Sequence, residues 1–304
     1  MVTVAAWIVG IFALAAAMLW TAIRINGPAV LDAVDRIAAP RASADLVETA
    51  RFGADPAQKL RVYRQAGAPA GLPVFVFAHG GAWAHGDPDD YGFVARNIAP
   101  EGYLVVLIGY RMNGPGRYPA MLQDTAAALA WVRANAARLG GDPDRLLLAG
   151  HSAGAYNVVQ TVLEPRWLAE AGVPQRAIRG VVGLAGPYDF FPYTTERSQA
   201  AFGSVGAGAE SQPVNHARAD APPMLLVHGE ADTVVRPRNT RALAGALAAA
   251  GAPVETLFLP GKDHNAPLLA LAHPFRRDSR VFDRVDAFLA RTAQVSVPVQ
   301  GARP

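Results

Sequence analysis

The 304-residue chain contains no cysteine. That excludes a disulfide framework, a thiolate nucleophile and any metal site built on sulfur, and it leaves the redox compartment unspecified. Charge is also sparse, at 17% of residues against 51% hydrophobic, and the formal net charge is only +3. Almost all the basic residues are arginines scattered among acids. No basic stripe with interleaved aromatics is present, so nothing in the chain suits a nucleic acid. No His/Asp/Glu spacing asks for a metal ion, no cofactor is expected, and no internal repeat is found. One α/β domain of about 250 residues accounts for nearly all of the length and can bury a large core.

What the chain does have is a long apolar run near its start. Residues 4–23 carry no charged side chain and are long enough to cross a bilayer. Trp7 and Trp20 sit near the ends of the run, where aromatic rings favour the membrane interface. Met1-Val2-Thr3 lacks the basic n-region of a secretory signal, and Ala15-Ala16-Ala17 falls in mid-stretch rather than at a cleavage position, so an uncleaved single-pass anchor is expected. Arg24, Arg36 and Arg41 lie on the C-terminal flank, which by the positive-inside rule keeps the rest of the chain on the cytoplasmic side, with the periplasmic side as the alternative. Pro28 opens a short amphipathic helix with Val30, Leu31, Val34 and Ile37 on one face and Asp32, Asp35 and Arg36 on the other, ending before Pro40. That helix either rests on the membrane surface or packs on the domain. The organisation expected is an anchor within residues 1–27, a linker over 28–44, a globular domain over 45–292 and a tail over 293–304.

From Asp45 onward strand and helix patterns alternate, which predicts a mostly parallel sheet. Residues 46–48 and 60–63 form an antiparallel entry hairpin, and 103–108 a central strand. Residues 118–139 form a helix, with Leu122, Ala126, Leu129, Ala130 and Val132 at helical spacing, and Gly140-Gly141 ends it. The stretch 190–223 is poor in strand pattern and rich in Gly, Ser and Pro, and it forms a cap.

Three motifs carry chemistry. Gly150-His151-Ser152-Ala153-Gly154 lies between an apolar run, 146–149, and a helix-compatible run, 155–160. That is the strand-elbow-helix setting in which a nucleophilic serine is forced to the tip of a sharp turn. His79-Gly80-Gly81-Ala82-Trp83 follows the buried-strand run 74–78, and backbone amides of Gly80, Gly81 and Ala82 can point at an oxyanion together with that of Ala153, at the start of the helix after the serine. The alternative is an ordinary loop with His79 as a packed histidine. A serine hydroxyl needs a base, and an imidazole base needs a carboxylate to hold its tautomer. The apolar run 224–228 leads to Asp232, and the run 256–259 leads to His264, so both fall where strands end and ligands bind in open α/β sheets. His228 lies inside a strand pattern as a packed neighbour, while His216 and His273 sit elsewhere. Asp189 is the runner-up acid, Glu230 a weaker one, and Asp263 is solvated. Trp83, His151, Tyr188 and Phe191 are the candidates to line a substrate pocket, with Phe190, Tyr193 and Phe202 as further cap aromatics, though His151 reads as structural rather than as a second base.

His-Gly-Gly-x-Trp at 79–83, Tyr110-Arg111, Tyr118-Pro119 with Asp124, Gly141-Asp142-Pro143, Gly-His-Ser-Ala-Gly and the stretch from Pro222 to His264 together resemble the α/β-hydrolase superfamily. Within it the chain is similar to the hormone-sensitive-lipase-like carboxylesterases and to the kynurenine formamidase and feruloyl esterase branch. The resemblance spans roughly residues 45–290. It implies an α/β-hydrolase fold with a mostly parallel eight-stranded sheet, helices on both faces and a short cap. It also implies cofactor-free hydrolysis of small to medium acyl esters through an acyl-enzyme, with Ser152, Asp232 and His264 as the triad. Ala82 replaces the third glycine of the esterase His-Gly-Gly-Gly, and Gly109-Tyr110-Arg111-Met112-Asn113 departs from the Asp-Tyr-Arg-Leu form. An arylformamidase or other amidase is therefore an alternative, and a non-catalytic, membrane-anchored binding protein of the same fold is another. The partners expected are a small-molecule ester and, through the N-terminal helix, a lipid bilayer.

Overall fold

A computed structural model describes residues 2–39, 44–203, 208–277 and 280–294. Pro40, Arg41 and the expected tail beyond residue 294 lie outside the described residues. Eight strands form one sheet in the order β1-β2-β4-β3-β5-β6-β7-β8. These are β1 Ala44–Arg51, β2 Lys59–Gln65, β3 Leu72–Ala78, β4 Leu104–Ile108, β5 Gly141–His151, β6 Ile178–Leu184, β7 Met224–Gly229 and β8 Val254–Leu259. The entry hairpin β1-β2 is antiparallel, β2 joins β4 antiparallel, and every pairing from β4 to β8 is parallel.

The parallel strands read as unbroken apolar runs because helices cover both faces. Side chains alternate between the faces along β3. Val74, Val76 and Ala78 join a core with Leu129 and Val132 of α3 (Ala120–Leu139), Val158 and Val162 of α4 (Ala153–Leu163), and Leu243 and Leu247 of α7 (Arg238–Ala250). Phe75 and Phe77 join the opposite core with Phe93, Val94 and Ile98 of α2 (Gly92–Ile98) and Val285, Phe288 and Leu289 of α9 (Arg280–Ala293). The remaining helices are α5 (Arg166–Glu170), α6 (Glu196–Phe202) and α8 (Ala266–Leu269). With the parallel strands all pointing one way, the loops after β3, β5, β6, β7 and β8 gather along a single edge of the sheet.

The N-terminal helix α1 runs Val2–Ala38 with one non-helical residue, Asn26 (φ −149°, ψ 79°). Pro28 accounts for the break: it has no N–H to give and its ring crowds the carbonyl of Arg24. Asn26 Oδ1 then accepts from the Ala29 amide at 3.1 Å and caps the second half. Among the described residues α1 is the one helix long and apolar enough to cross a membrane.

The second half corrects the amphipathic reading. Leu31 is buried as expected, but so are Asp32 and Asp35, at 5% and 0% exposure, whereas Ile37 is 80% exposed. The reason is a specific partner. Arg96 of α2 donates through Nε to Asp35 Oδ2 (2.8 Å) and through Nη2 to Asp32 Oδ1 (2.7 Å), while Asn97 Nδ2 and the His273 amide donate to Asp35 Oδ1, each at 2.8 Å. Charge-assisted bonds of this density offset the loss of water around both carboxylates. A helix face that looks solvated in sequence is thus the face that docks on the domain.

The stretch 190–223 holds α6 and two single-turn 3₁₀ segments, 209–211 and 213–216. Its Phe190 and Phe202 rings pack with Trp83 and Tyr156, and Tyr193 stacks on Phe202. This fixes the described part of the stretch against the loop after β3 and against α4.

Candidate active site

Ser152 stands between β5 and α4 with φ 54° and ψ −119°, a backbone conformation that an L-residue adopts only under constraint. The constraint is close packing. A Cβ on Gly150 would lie 2.4 Å from the backbone of Gly154, and one on Gly154 would lie 2.2 Å from the carbonyl oxygen of Ala78 in β3. Glycine at both positions lets α4 start directly against the strands. The Ser152 amide is held by Leu184 O of β6 at 2.8 Å, and its carbonyl accepts from Tyr156 N at 3.1 Å. The hydroxyl makes no capping bond to α4, and the Ala153 amide lies behind it at the electropositive start of that helix.

The loop after β3 is equally forced, with positive φ at Gly81 (125°), Ala82 (52°) and Trp83 (56°). Its internal hydrogen bonds come from the amides of Ala84 and His85, both to Gly81 O, so those of Gly81 and Ala82 are not spent on them. Gly80 is buried against His151 and the Ser152 side chain, whereas Gly81 and Ala82 are partly accessible. The strain at Ala82 and Trp83 is held from both sides. Trp83 Nε1 donates to Asn157 Oδ1 of α4 at 3.0 Å, and its ring meets Phe202 edge-on at 4.7 Å. On the inner side, His79 stacks on Tyr110 at 4.4 Å, and Tyr110 Oη donates to His79 O at 2.9 Å. Burial holds the His79 imidazole neutral, with its pKa pushed down to about 4. It is a packed pillar of the loop.

Ser152 Oγ lies 3.0 Å from His264 Nε2, and His264 Nδ1 lies 2.7 Å from Asp232 Oδ2. Since a carboxylate only accepts, Nδ1 carries the proton and Nε2 is free to accept from the serine. Asp232 is 4% exposed. Its Oδ1 accepts from the amides of Val234 and Val235 at 2.9 Å each, and His228 Nε2 stands 3.1 Å from Oδ2. Burial alone would raise the Asp232 pKa. Hydrogen bonds from His228, His264 and the Val235 amide, with the charge of His264 when protonated, outweigh burial and hold the carboxyl far below its usual range.

The other candidates separate from this cluster. Glu230 pairs with Arg241 and Asp189 with Arg238, both on the surface. His216 Nε2 donates to Glu210 O, and the amide of His273 is used by Asp35. Tyr188 has no exposed surface and its ring lies against Gly183 and Gly186, so it presents nothing to a substrate, which corrects its place among the pocket residues. Phe191 is 45% exposed against Tyr193, while Trp83 and His151 are almost wholly buried. His151 Nε2 donates to the backbone carbonyl of His264 at 3.1 Å, its ring lies 4.9 Å from that of His264, and burial pushes its pKa down to about 3. It positions His264 as a neutral donor. Two contributors escaped the sequence reading: Asn157, which holds Trp83, and the contact of His228 with Asp232. The signals were there, a lone amide in the apolar helix after Ser152 and a histidine four residues ahead of the acid.

Comparison with known proteins agrees with this architecture. The chain is 32% identical over 240 residues to esterase LipC of Mycobacterium tuberculosis, covering 72% of this chain and 59% of that one. It is 28% identical over 248 residues to isoprenylcysteine alpha-carbonyl methylesterase ICME of Arabidopsis thaliana, covering 74% and 57%. The chain thus spans less than two thirds of the length of these curated relatives. The apo form of Thermogutta terrifontis esterase 2 superposes with a TM-score of 0.68 at 25% identity, over 82% of this chain and 96% of that one. The profile of the BD-FAE family matches residues 60–247, more than half of the chain and the stretch that holds the elbow, the strained loop after β3 and Asp232. The chain belongs to the BD-FAE family, a hormone-sensitive-lipase-like branch of the α/β-hydrolases.

Proposed function

We propose that the protein is a serine carboxylesterase acting on small to medium acyl esters. The observation that carries this reading is the continuous relay from Ser152 Oγ through His264 to Asp232, with spacings of 3.0 and 2.7 Å, beside a strained loop whose own backbone hydrogen bonds do not use the Gly81 and Ala82 amides. Ser152 Oγ attacks the ester carbonyl while His264 Nε2 takes its proton, and Asp232 stabilises the imidazolium so formed. Negative charge growing on the carbonyl oxygen is met by the amides of Gly81, Ala82 and Ala153. His264 passes its proton to the departing alcohol, leaving an acyl-Ser152 ester. Water then attacks that ester with His264 again as base, and the acid leaves.

The esterases among the relatives and the esterase fold neighbour support the chemistry. The dense packing of Trp83, Phe190 and Phe202 beside the strained loop supports acyl groups of modest size. In the same reading residues 4–23 span a membrane as a single-pass anchor, on the strength of the length and apolar character of α1.

The test is turnover of p-nitrophenyl acetate, butyrate and decanoate, with N-formylkynurenine in parallel, by the full chain in detergent and by its Ser152→Ala variant. Turnover that falls with acyl length and disappears in the variant is expected. Preference for the formamide would replace the esterase with an arylformamidase, and absence of any Ser152-dependent turnover would point to a binding protein of the same fold.

A further inference from the structure

The point at which α1 leaves the domain sets what the active site can reach. α2 runs from the carboxyl ends of the parallel strands, where Gly92 follows the loop after β3, to their amino ends, where β4 begins. The second half of α1 follows the same course. Asn26 Nδ2 donates to Asp90 Oδ2 at 2.8 Å, just ahead of α2. Asp32 then packs against Gly92 and Arg96, and Asp35 against Arg96 and Asn97 farther down. Residues 2–25 therefore depart from the carboxyl edge of the sheet, the edge that carries Ser152, Asp232 and His264.

The path from that exit to the strained loop is short. Gly86 lies so close to this loop that a Cβ on it would sit 2.4 Å from His79 Nδ1 and 2.5 Å from Gly80 O. Four residues lead from Gly86 to Asp90, a span of at most about 14 Å. On the membrane side, Arg24 lies over the Trp20 ring at 4.9 Å, a pair suited to the lipid interface. Trp20 is only about 9 Å from Asn26 along a helix. Two large apolar side chains outside α1 are exposed on the same edge, Val234 at 72% beside Asp232 and Phe191 in the cap.

We propose that this edge faces the lipid surface in which α1 is embedded, so that the enzyme takes amphiphilic esters whose scissile bond lies at headgroup depth. The proposal rests on the esterase and membrane-span readings above. Its physical core is the rigid dock: a flexible tether would let the domain present any face, whereas Asp32 and Asp35, clamped on Arg96 and Asn97, hold one face toward the exit. The partner is lipid because the span itself commits the exit point to a bilayer.

The absence of native cysteine makes single-site labelling direct. Ile11→Cys in the span, Phe191→Cys and Val234→Cys on the carboxyl edge, and Val47→Cys midway along the outermost strand β1 would each be labelled with bimane in the full chain. The proteins would be reconstituted in phosphatidylcholine vesicles with nitroxide at shallow depth and, in parallel, with nitroxide near the bilayer centre, where Ile11 of a spanning helix lies. Strong quenching at Ile11, Phe191 and Val234 with little at Val47 is expected. Quenching at Ile11 with Phe191 and Val234 as weak as Val47 would overturn the orientation while leaving the anchor intact. No quenching at Ile11 would remove the span and the proposal with it. Independently, p-nitrophenyl acetate turnover by the unlabelled protein and its loss in Ser152→Ala report the esterase reading alone. Reconstitution should raise the preference for a vesicle-resident p-nitrophenyl ester over the acetate by about tenfold or more, through effective concentration at the surface. No rise would overturn the substrate class.

Discussion

Asp35 and Asp232 are both almost stripped of water, and their partners differ in kind. Asp35 meets the guanidinium of Arg96, which carries its charge at every working pH, together with the amide groups of Asn97 and His273. Asp232 meets two backbone amides and two imidazoles, none of which has a permanent charge. At Asp35 the attraction is fully realised in the resting fold, so it serves stability. In the proposed mechanism the strongest attraction at Asp232 is realised only when His264 takes up the serine proton, so there it serves the transition state in preference to the ground state. On the proposed mechanism, the same residue type in the same degree of burial becomes a rivet or a catalytic partner according to whether the facing cation is permanent or made during the reaction.

The sharpest test of that contrast is a crossed pair of isosteric substitutions. Asp232→Asn should lower ester turnover by about 10⁴-fold, because the amide disturbs the tautomer of His264 and cannot stabilise its cation; urea melts should register a smaller change. Asp35→Asn should leave turnover per folded molecule unchanged and cost about 3–5 kcal/mol of stability, because Arg96 keeps its charge and loses a buried partner. Equal effects on both quantities in both variants would dissolve the distinction.

Acid should separate the sites further. His79 and His151 are buried neutral with pKa values near 4 and 3, while the unfolded imidazoles titrate near 6.5. The unfolded chain therefore binds protons that the folded chain refuses, and stability falls as pH drops below 6.5, by about 2 kcal/mol for each histidine at pH 5. The Asp232 contribution has a different window. Its folded pKa lies below the ordinary 3.8, so the contribution is whole above that value and is lost as pH falls through the folded pKa. Urea midpoints between pH 7 and 5 should decline, and should decline less in His151→Phe. The smallest effect expected is at His228. His228 Nε2 donates to the Val235 carbonyl at 2.7 Å and stands 3.1 Å from Asp232 Oδ2, so His228→Phe removes a polar neighbour of the carboxylate and should lower kcat by about tenfold, the worth of a single hydrogen bond to a charged group. An unchanged kcat would make that histidine a packing residue only.

Much of this molecule was legible in one dimension. Strand and helix order, the elbow at Ser152, and the places of Asp232 and His264 on strand-end loops follow from patterns that are local, because apolar periodicity and turn glycines act within a few residues. Asp32 and Asp35 were misread for the converse reason. A helical wheel assigns charged side chains to water, and the arginine that reverses that assignment lies more than sixty residues away. Tyr188 was misplaced in the same way: its position after β6 suggested the site, but close approach to Gly183 and Gly186 turns its ring into the core.

By itself the sequence determined the strand-elbow-helix setting of Ser152, its flanking glycines and an apolar segment long enough for a bilayer, since each depends on residue type and neighbours along the chain. Tertiary structure alone decided which imidazole nitrogen faces which oxygen, that His151 and His228 brace the pair His264 and Asp232, and that α1 leaves from the edge bearing Ser152. Those are relations between segments far apart in the chain, brought together when parallel strands align their carboxyl ends, and no local pattern encodes a distance across a fold.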